Sequence, residues 1–141
     1  MQEKEKIIVF SSREICYQSS SFFANQMADA FEKLGFDVSV CEFDEQDDLD
    51  AVFQPLYGKK YRLLLDFNST ITRMVEEDGT PVLDKIDGPF FDYILDHPLF
   101  HYNCLNANLK NLNGIFLDEA QEAYVKRYYR HLQCRLAQQK L

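Results

Sequence analysis

The chain has 141 residues with 15 Lys and Arg against 23 Asp and Glu, a net charge of −8. That length supplies one core and is too short for two ordinary domains. At 46% hydrophobic and 27% charged residues the balance is globular, and the acidic excess argues against a general nucleic-acid or anionic-membrane surface.

The first residues, Met-Gln-Glu-Lys-Glu-Lys, lead into a strand with no signal-type apolar stretch, and runs such as 7–10 and 63–65 are too short to span a bilayer. A cytoplasmic protein without a membrane span is expected. Cys16, Cys41, Cys104 and Cys134 form no C-x-x-C pair, so they read as ordinary reduced cysteines.

Residues 6–11 are β-branched and aromatic on both faces, as in a central strand of a covered parallel sheet. Residues 11–19 are a polar loop without glycine, so the glycine-rich phosphate cradles are absent after this strand. Helical spacing of Phe23, Met27, Ala30, Phe31 and Leu34 predicts a helix over about 20–34, stopped by Gly35. Residues 36–43 form a second strand. The stretch 42–50 then carries six acids and no base. Acids opening a short helix over 48–54 favourably meet its dipole, which explains this run better than a metal site does.

Residues 61–67 predict the third strand, 71–81 a loop or small hairpin around Asp78-Gly79, and 82–86 a helical turn. Residues 90–95 form the fourth strand, 99–109 a short amphipathic helix, and 114–117 the fifth strand. Tyr124, Tyr128, Leu132 and Leu136 at four-residue steps predict a last helix over 119–136 with no strand after it. Strands alternating with helices imply parallel pairing. The expected fold is therefore α/β, a Rossmann-like three-layer sandwich with a mostly parallel five-stranded sheet, over residues 1–141 as a single domain.

Such sheets bind ligands beyond the carboxyl ends of their strands. Ser11, Asn68, Asp96, His97, His101 and Asp118 stand at those ends, while the strands themselves hold almost no polar groups. His97 and His101 have the i, i+4 spacing of a zinc pair, but Pro98 between them argues against one helix face, and no metal is expected. His97 is either an acid–base or donor group toward a ligand oxygen, or a structural residue tying down the turn. Residues 63–72, Leu-Leu-Leu-Asp-Phe-Asn-Ser-Thr-Ile-Thr, resemble the first motif of haloacid-dehalogenase-type phosphatases, with Asp66 as the nucleophile and Thr70 as the hydroxyl. Asn68 stands where that motif has its proton-donating Asp, and Ser69 where it has glycine. A receiver domain would need acids after the first strand, where Ser11-Ser12-Arg13 stands instead.

The segment from Asp92 through Asp96-His97-Pro98-Leu99-Phe100-His101, followed by Asp118-Glu119 and Tyr124-Val125-Lys126-Arg127-Tyr128-Tyr129, resembles another family. It is similar to the N-terminal domain of bacterial glycosyltransferase-like proteins of the two-Rossmann-domain (GT-B) class. The similarity covers about residues 61–130, and Phe67-Asn68 fits it too. The resemblance implies the acceptor side of an interdomain cleft, a C-terminal nucleotide-sugar domain in a longer chain, and no transfer by this half alone. It further implies that Asn68, Asp96, His97 and His101 line the acceptor side. His97 would then contact an acceptor hydroxyl or the donor phosphate. No cofactor is expected, and the expected partners are a sugar acceptor or a nucleotide sugar. A non-catalytic binding or interaction module of the same fold is the rival.

Overall fold

The computed structural model describes residues 2–13, 19–107, 109 and 112–137. Part of the expected 11–19 loop, Cys16 and the last four residues lie outside them. The architecture is α/β, with one parallel six-stranded sheet in a Rossmann-like sandwich. The elements run β1 (Lys6–Ser12), α1 (Ser19–Lys33), β2 (Asp37–Phe43), α2 (Leu49–Phe53), β3 (Leu63–Phe67), β4 (Phe90–Ile94), α3 (Tyr102–Leu105), β5 (Leu112–Phe116), α4 (Glu119–Tyr128) and β6 (Gln133–Leu136). Their order across the sheet is β2-β1-β3-β4-β5-β6.

That order follows from the chain leaving β1 in one direction and returning past it in the other. Right-handed crossovers then place α1 on one face and the later connections on the opposite face. Side chains confirm the two layers. Ile7, Val9, Leu65 and Phe67 pack under Ala24, Met27 and Phe31 of α1. Ile8, Phe10, Leu64, Phe90, Ile94, Leu112 and Phe116 meet Phe53 of α2, Leu105 of α3 and Val125 of α4. Covered on both faces, β1 is buried from Ile7 to Ser12.

Three expectations need correction. The sheet has six strands, because the last helix stops at Tyr128 and Gln133–Leu136 pairs in parallel with β5. Tyr129 leaves helical geometry at φ −129°, ψ 62°, and both Tyr129 and Leu132 turn into the core. The four-residue steps imitated a longer helix, yet Tyr128 is exposed and Val125 is the buried residue of α4. Pairing with β6 satisfies backbone groups that β5 would otherwise leave on an open edge. Secondly, the buried stripe of α1 runs through Ala24 and Ala28, while Phe22, Phe23 and Leu34 are exposed. Small residues let the helix approach the sheet closely. Thirdly, the expected 99–109 helix is a 3₁₀ turn, Pro98–His101, followed by the single α turn of α3.

Other expectations hold. Asp48 caps α2, its side chain accepting from the Ala51 N–H at 3.3 Å, a contact typically worth ~1 kcal/mol. The acids before it also have a partner: Arg13, just past β1, bonds Asp44 at 3.1 Å and Asp47 at 2.5 Å. A 3₁₀ turn forms at Val82–Lys85, and Gly35 sits at φ +98° after α1 with its N–H on the Glu32 carbonyl. No helix among the described residues is long and apolar enough to cross a membrane.

Candidate functional site at the carboxyl ends of β3 and β4

The strands are less apolar than the sequence implies. Asp66 on β3 and Asp92 on β4 are register partners on the same face of the sheet, and both are fully buried. Asp66 accepts from the Phe67 N–H at 2.8 Å and the Ile71 N–H at 2.7 Å. Asp92 accepts from the Ser69 N–H at 2.9 Å and the Ser69 hydroxyl at 2.6 Å. Burial raises both carboxyl pKa values, Asp92 to about 6, and the Asp92 charge pushes Asp66 further up. Two carboxylates side by side in a dry core resist ionising together.

The pair fixes the turn that follows β3. Asn68 and Ser69 are both left-handed, at φ 52° and 59°, a geometry costing roughly 1–2 kcal/mol for each non-glycine residue. Specific bonds offset that cost. The Asn68 N–H donates to the Tyr93 carbonyl at 3.0 Å, and its Oδ1 accepts from the Leu95 N–H at 2.7 Å and the Asp96 N–H at 3.3 Å. Thr70 and Thr72 hydroxyls donate back to the Phe67 and Ser69 carbonyls. The outcome is a rigid floor joining the ends of β3 and β4.

Above that floor lies a cavity of about 490 Å³, bordered by Asn68, Ser69, Arg73, Asp96, His101 and the exposed Phe100. The His101 side chain is only 11% exposed, with Nε2 3.8 Å from Asp96 Oδ2. That distance is too long for a hydrogen bond, and Nε2 is buried with no partner. Burial lowers the His101 pKa; Asp96 opposes this and Arg73 adds to it. Among the described residues Arg73 makes no ion pair. A comparable cavity of about 510 Å³ lies at the amino ends of the strands, among Lys4, Lys59, Lys60 and Arg62. That is the end parallel sheets do not use for ligands.

Of the residues picked from sequence, Asn68, Asp96 and His101 meet in the first cavity. His97 does not border it. Its Nδ1 accepts from the Leu99 N–H at 3.1 Å, capping the 3₁₀ turn, and its ring stands edge-on to Tyr124 at 5.0 Å. An accepting Nδ1 puts the ring proton on Nε2. Asp118 caps α4, accepting from the Gln121 N–H at 2.8 Å. Ser11 is buried inside β1, its hydroxyl 3.3 Å from that of Ser21, which in turn donates to Glu42. No three His, Cys, Asp or Glu side chains cluster as metal ligands among the described residues. Cys41, Cys104 and Cys134 are free, and burial pushes the Cys41 thiol up to about 12.

Sequence reasoning missed Ser69, Arg73 and Asp92. Asp92 stood in an apolar strand as a lone acid, and only the register brings it to Asp66. The geometry also removes the chemistry a phosphatase nucleophile needs: Asp66 has no exposed surface and both oxygens hold main-chain N–H groups. No protein-family model, curated protein or solved structure matches the chain.

Proposed function

We propose that this chain is the acceptor-side, N-terminal domain of a glycosyltransferase-like protein of the two-Rossmann-domain class. The observation that carries the reading is the cavity between the β3 and β4 ends, bordered by Asp96, Leu99, Phe100 and His101 of the segment on which the resemblance rests. It is an open depression that fits one wall of a cleft. Asp96 offers carboxylate acceptors for ligand hydroxyls. His97, exposed beside it with its proton on Nε2, is a donor toward an acceptor hydroxyl or a donor phosphate. Transfer would require the second, nucleotide-sugar domain.

Calorimetric titration with a panel of nucleotide sugars and sugar acceptors tests this. Saturable binding that weakens at least several-fold in His97→Ala, beyond the ~1 kcal/mol of stability that losing its cap removes, supports it. Absence of binding by every member of the panel would end it.

A second reading, a non-catalytic binding module of the same fold, is favoured by the commitment of His97 Nδ1 and the Asp118 carboxylate to helix caps. It keeps the cavity and dispenses with the second domain. Binding that survives His97→Ala unchanged would favour it.

A further inference from the structure

We propose that the β3–β4 cavity takes an anionic, hydroxyl-bearing ring, a sugar phosphate or sugar acid, with Arg73 holding the acidic group. The proposal rests on the cavity being a ligand site and adds the ligand's charge, which the acceptor-side reading leaves open.

Arg73 is the cation at this rim. It ends the 3₁₀ turn Ile71–Arg73, whose first N–H is held at 2.7 Å by buried Asp66. Five of the described cations are already paired with acids. Arg13 is forked between Asp44 and Asp47, and Lys6, Arg62, Lys85 and Lys126 each face a glutamate. Arg73 borders the cavity without such a partner, although the cavity also holds a carboxylate. Asp96 lies 3.8 Å from His101 Nε2 and forms no ion pair with Arg73. A guanidinium and a carboxylate left apart in one depression match a ligand carrying an acid group and hydroxyls on one frame. The guanidinium fork takes the acid through paired N–H donors, and the carboxylate accepts from the hydroxyls.

Two further groups support this chemistry. His101 brings a buried ring nitrogen with no partner at hydrogen-bond distance, Asp96 being 3.8 Å away, and so is placed for an oxygen that enters the cavity. Phe100 is 79% exposed at the lip, an unusual position for a phenyl ring. A ring there suits the apolar C–H face of a sugar. An acid group on the acceptor and a phosphate on the donor present the same chemistry to Arg73, so the probes must separate them.

The test is a titration of the ¹⁵N-labelled protein with glucose, α-D-glucose 1-phosphate and uridine diphosphate, reading amide shifts at 68–73 and 96–104. Glucose 1-phosphate should saturate these shifts at least tenfold more tightly than glucose. Arg73→Gln should abolish that preference, and Phe100→Ala should weaken glucose 1-phosphate several-fold. Saturation by uridine diphosphate at the same amides, lost in Arg73→Gln, places the phosphate on the donor rather than the acceptor and still supports an anion site. Glucose and glucose 1-phosphate binding equally, both untouched by Arg73→Gln, would overturn the anion proposal and leave the ligand site standing. Silence from all three probes at these amides, while other nucleotide sugars or acceptors bind there, also overturns it. Silence from every ligand removes the site itself.

Discussion

Replacing Asp92 by Asn should flatten the pH dependence of stability on the acid side of neutrality. Burial raises the Asp92 pKa from 3.8 to about 6, roughly two units. At about 1.4 kcal/mol per unit this is ~3 kcal/mol of linkage. The folded-state value lies above the unfolded one, so the folded state binds more protons between the two. The Asp92 contribution is therefore fully present only below the unfolded value, falls as pH rises through about 6, and levels off beyond that. Asp66 shifts in the same direction and carries the decline further toward alkaline pH. Surface acids such as the half-buried Asp44 and the exposed Asp78, held low by backbone N–H groups, oppose this trend below pH 4. Comparing wild type with Asp92→Asn cancels those contributions. The amide keeps an acceptor for the Ser69 N–H and gains a donor for the Ser69 hydroxyl, so the fold survives. Urea denaturation followed by circular dichroism between pH 4 and pH 8 measures the difference. Wild type should lose roughly 2 kcal/mol more than the variant across this window, the rest of the linkage lying below pH 4. Parallel curves for the two proteins would refute a buried, proton-holding Asp92.

Four further outcomes follow from the same geometry. Ser69→Gly relieves a left-handed serine but removes a hydroxyl donated to a buried carboxylate at 2.6 Å. A net loss of about 1 kcal/mol is expected in urea melts, and a gain would show that the backbone strain dominates. Asn68→Ala strips the acceptor from the Leu95 and Asp96 N–H groups; it should cost ~2 kcal/mol and raise hydrogen exchange at both amides. Gly114→Ala would place a Cβ 2.5 Å from the ring of Phe116, which is fully buried and cannot step aside. A loss of ~1–3 kcal/mol is expected, and a neutral result would mean the β5 face is looser than it looks. Asp48→Ala should cost ~1 kcal/mol through α2 alone, with ligand binding at the β3–β4 rim unaffected.

How much of this was legible follows from where each signal is written. Residues 6–11 are apolar on both faces, so composition alone marks β1 as an inner strand, while the short apolar runs of β3 and β4 mark them only as strands. β6 is four residues long and lies inside the four-residue repeat of Tyr124, Tyr128, Leu132 and Leu136, so local pattern gave the wrong element there. The exposed Phe23 and Leu34 misdirected the stripe of α1, because hydrophobicity ranks them above the alanines that close packing selects. At the site, the rim was legible from strand ends, and with it Asn68, Asp96 and His101. The roles were not. Whether His97 caps a turn or enters a cavity depends on one rotamer, and no spacing encodes it. The Asp66–Asp92 pair depends on a cross-strand register between residues 26 positions apart.

That pair also gives the rim its rigidity. A left-handed Asn68-Ser69 turn is costly by itself, and glycine would form it without help. Here each left-handed residue uses its side chain: Asn68 clamps the end of β4, and Ser69 fills both oxygens of Asp92. Asp66 then holds Ile71, two residues before Arg73. The buried carboxylates cost stability at neutral pH, yet they hold the turn that carries Arg73 to the cavity. A core of apolar residues at 66 and 92 would be more stable and would leave this turn unheld. Retaining acids in the sheet interior is therefore understandable as positioning: stability is exchanged for a held turn, from which Arg73 reaches the cavity that Asp96 and His101 also border.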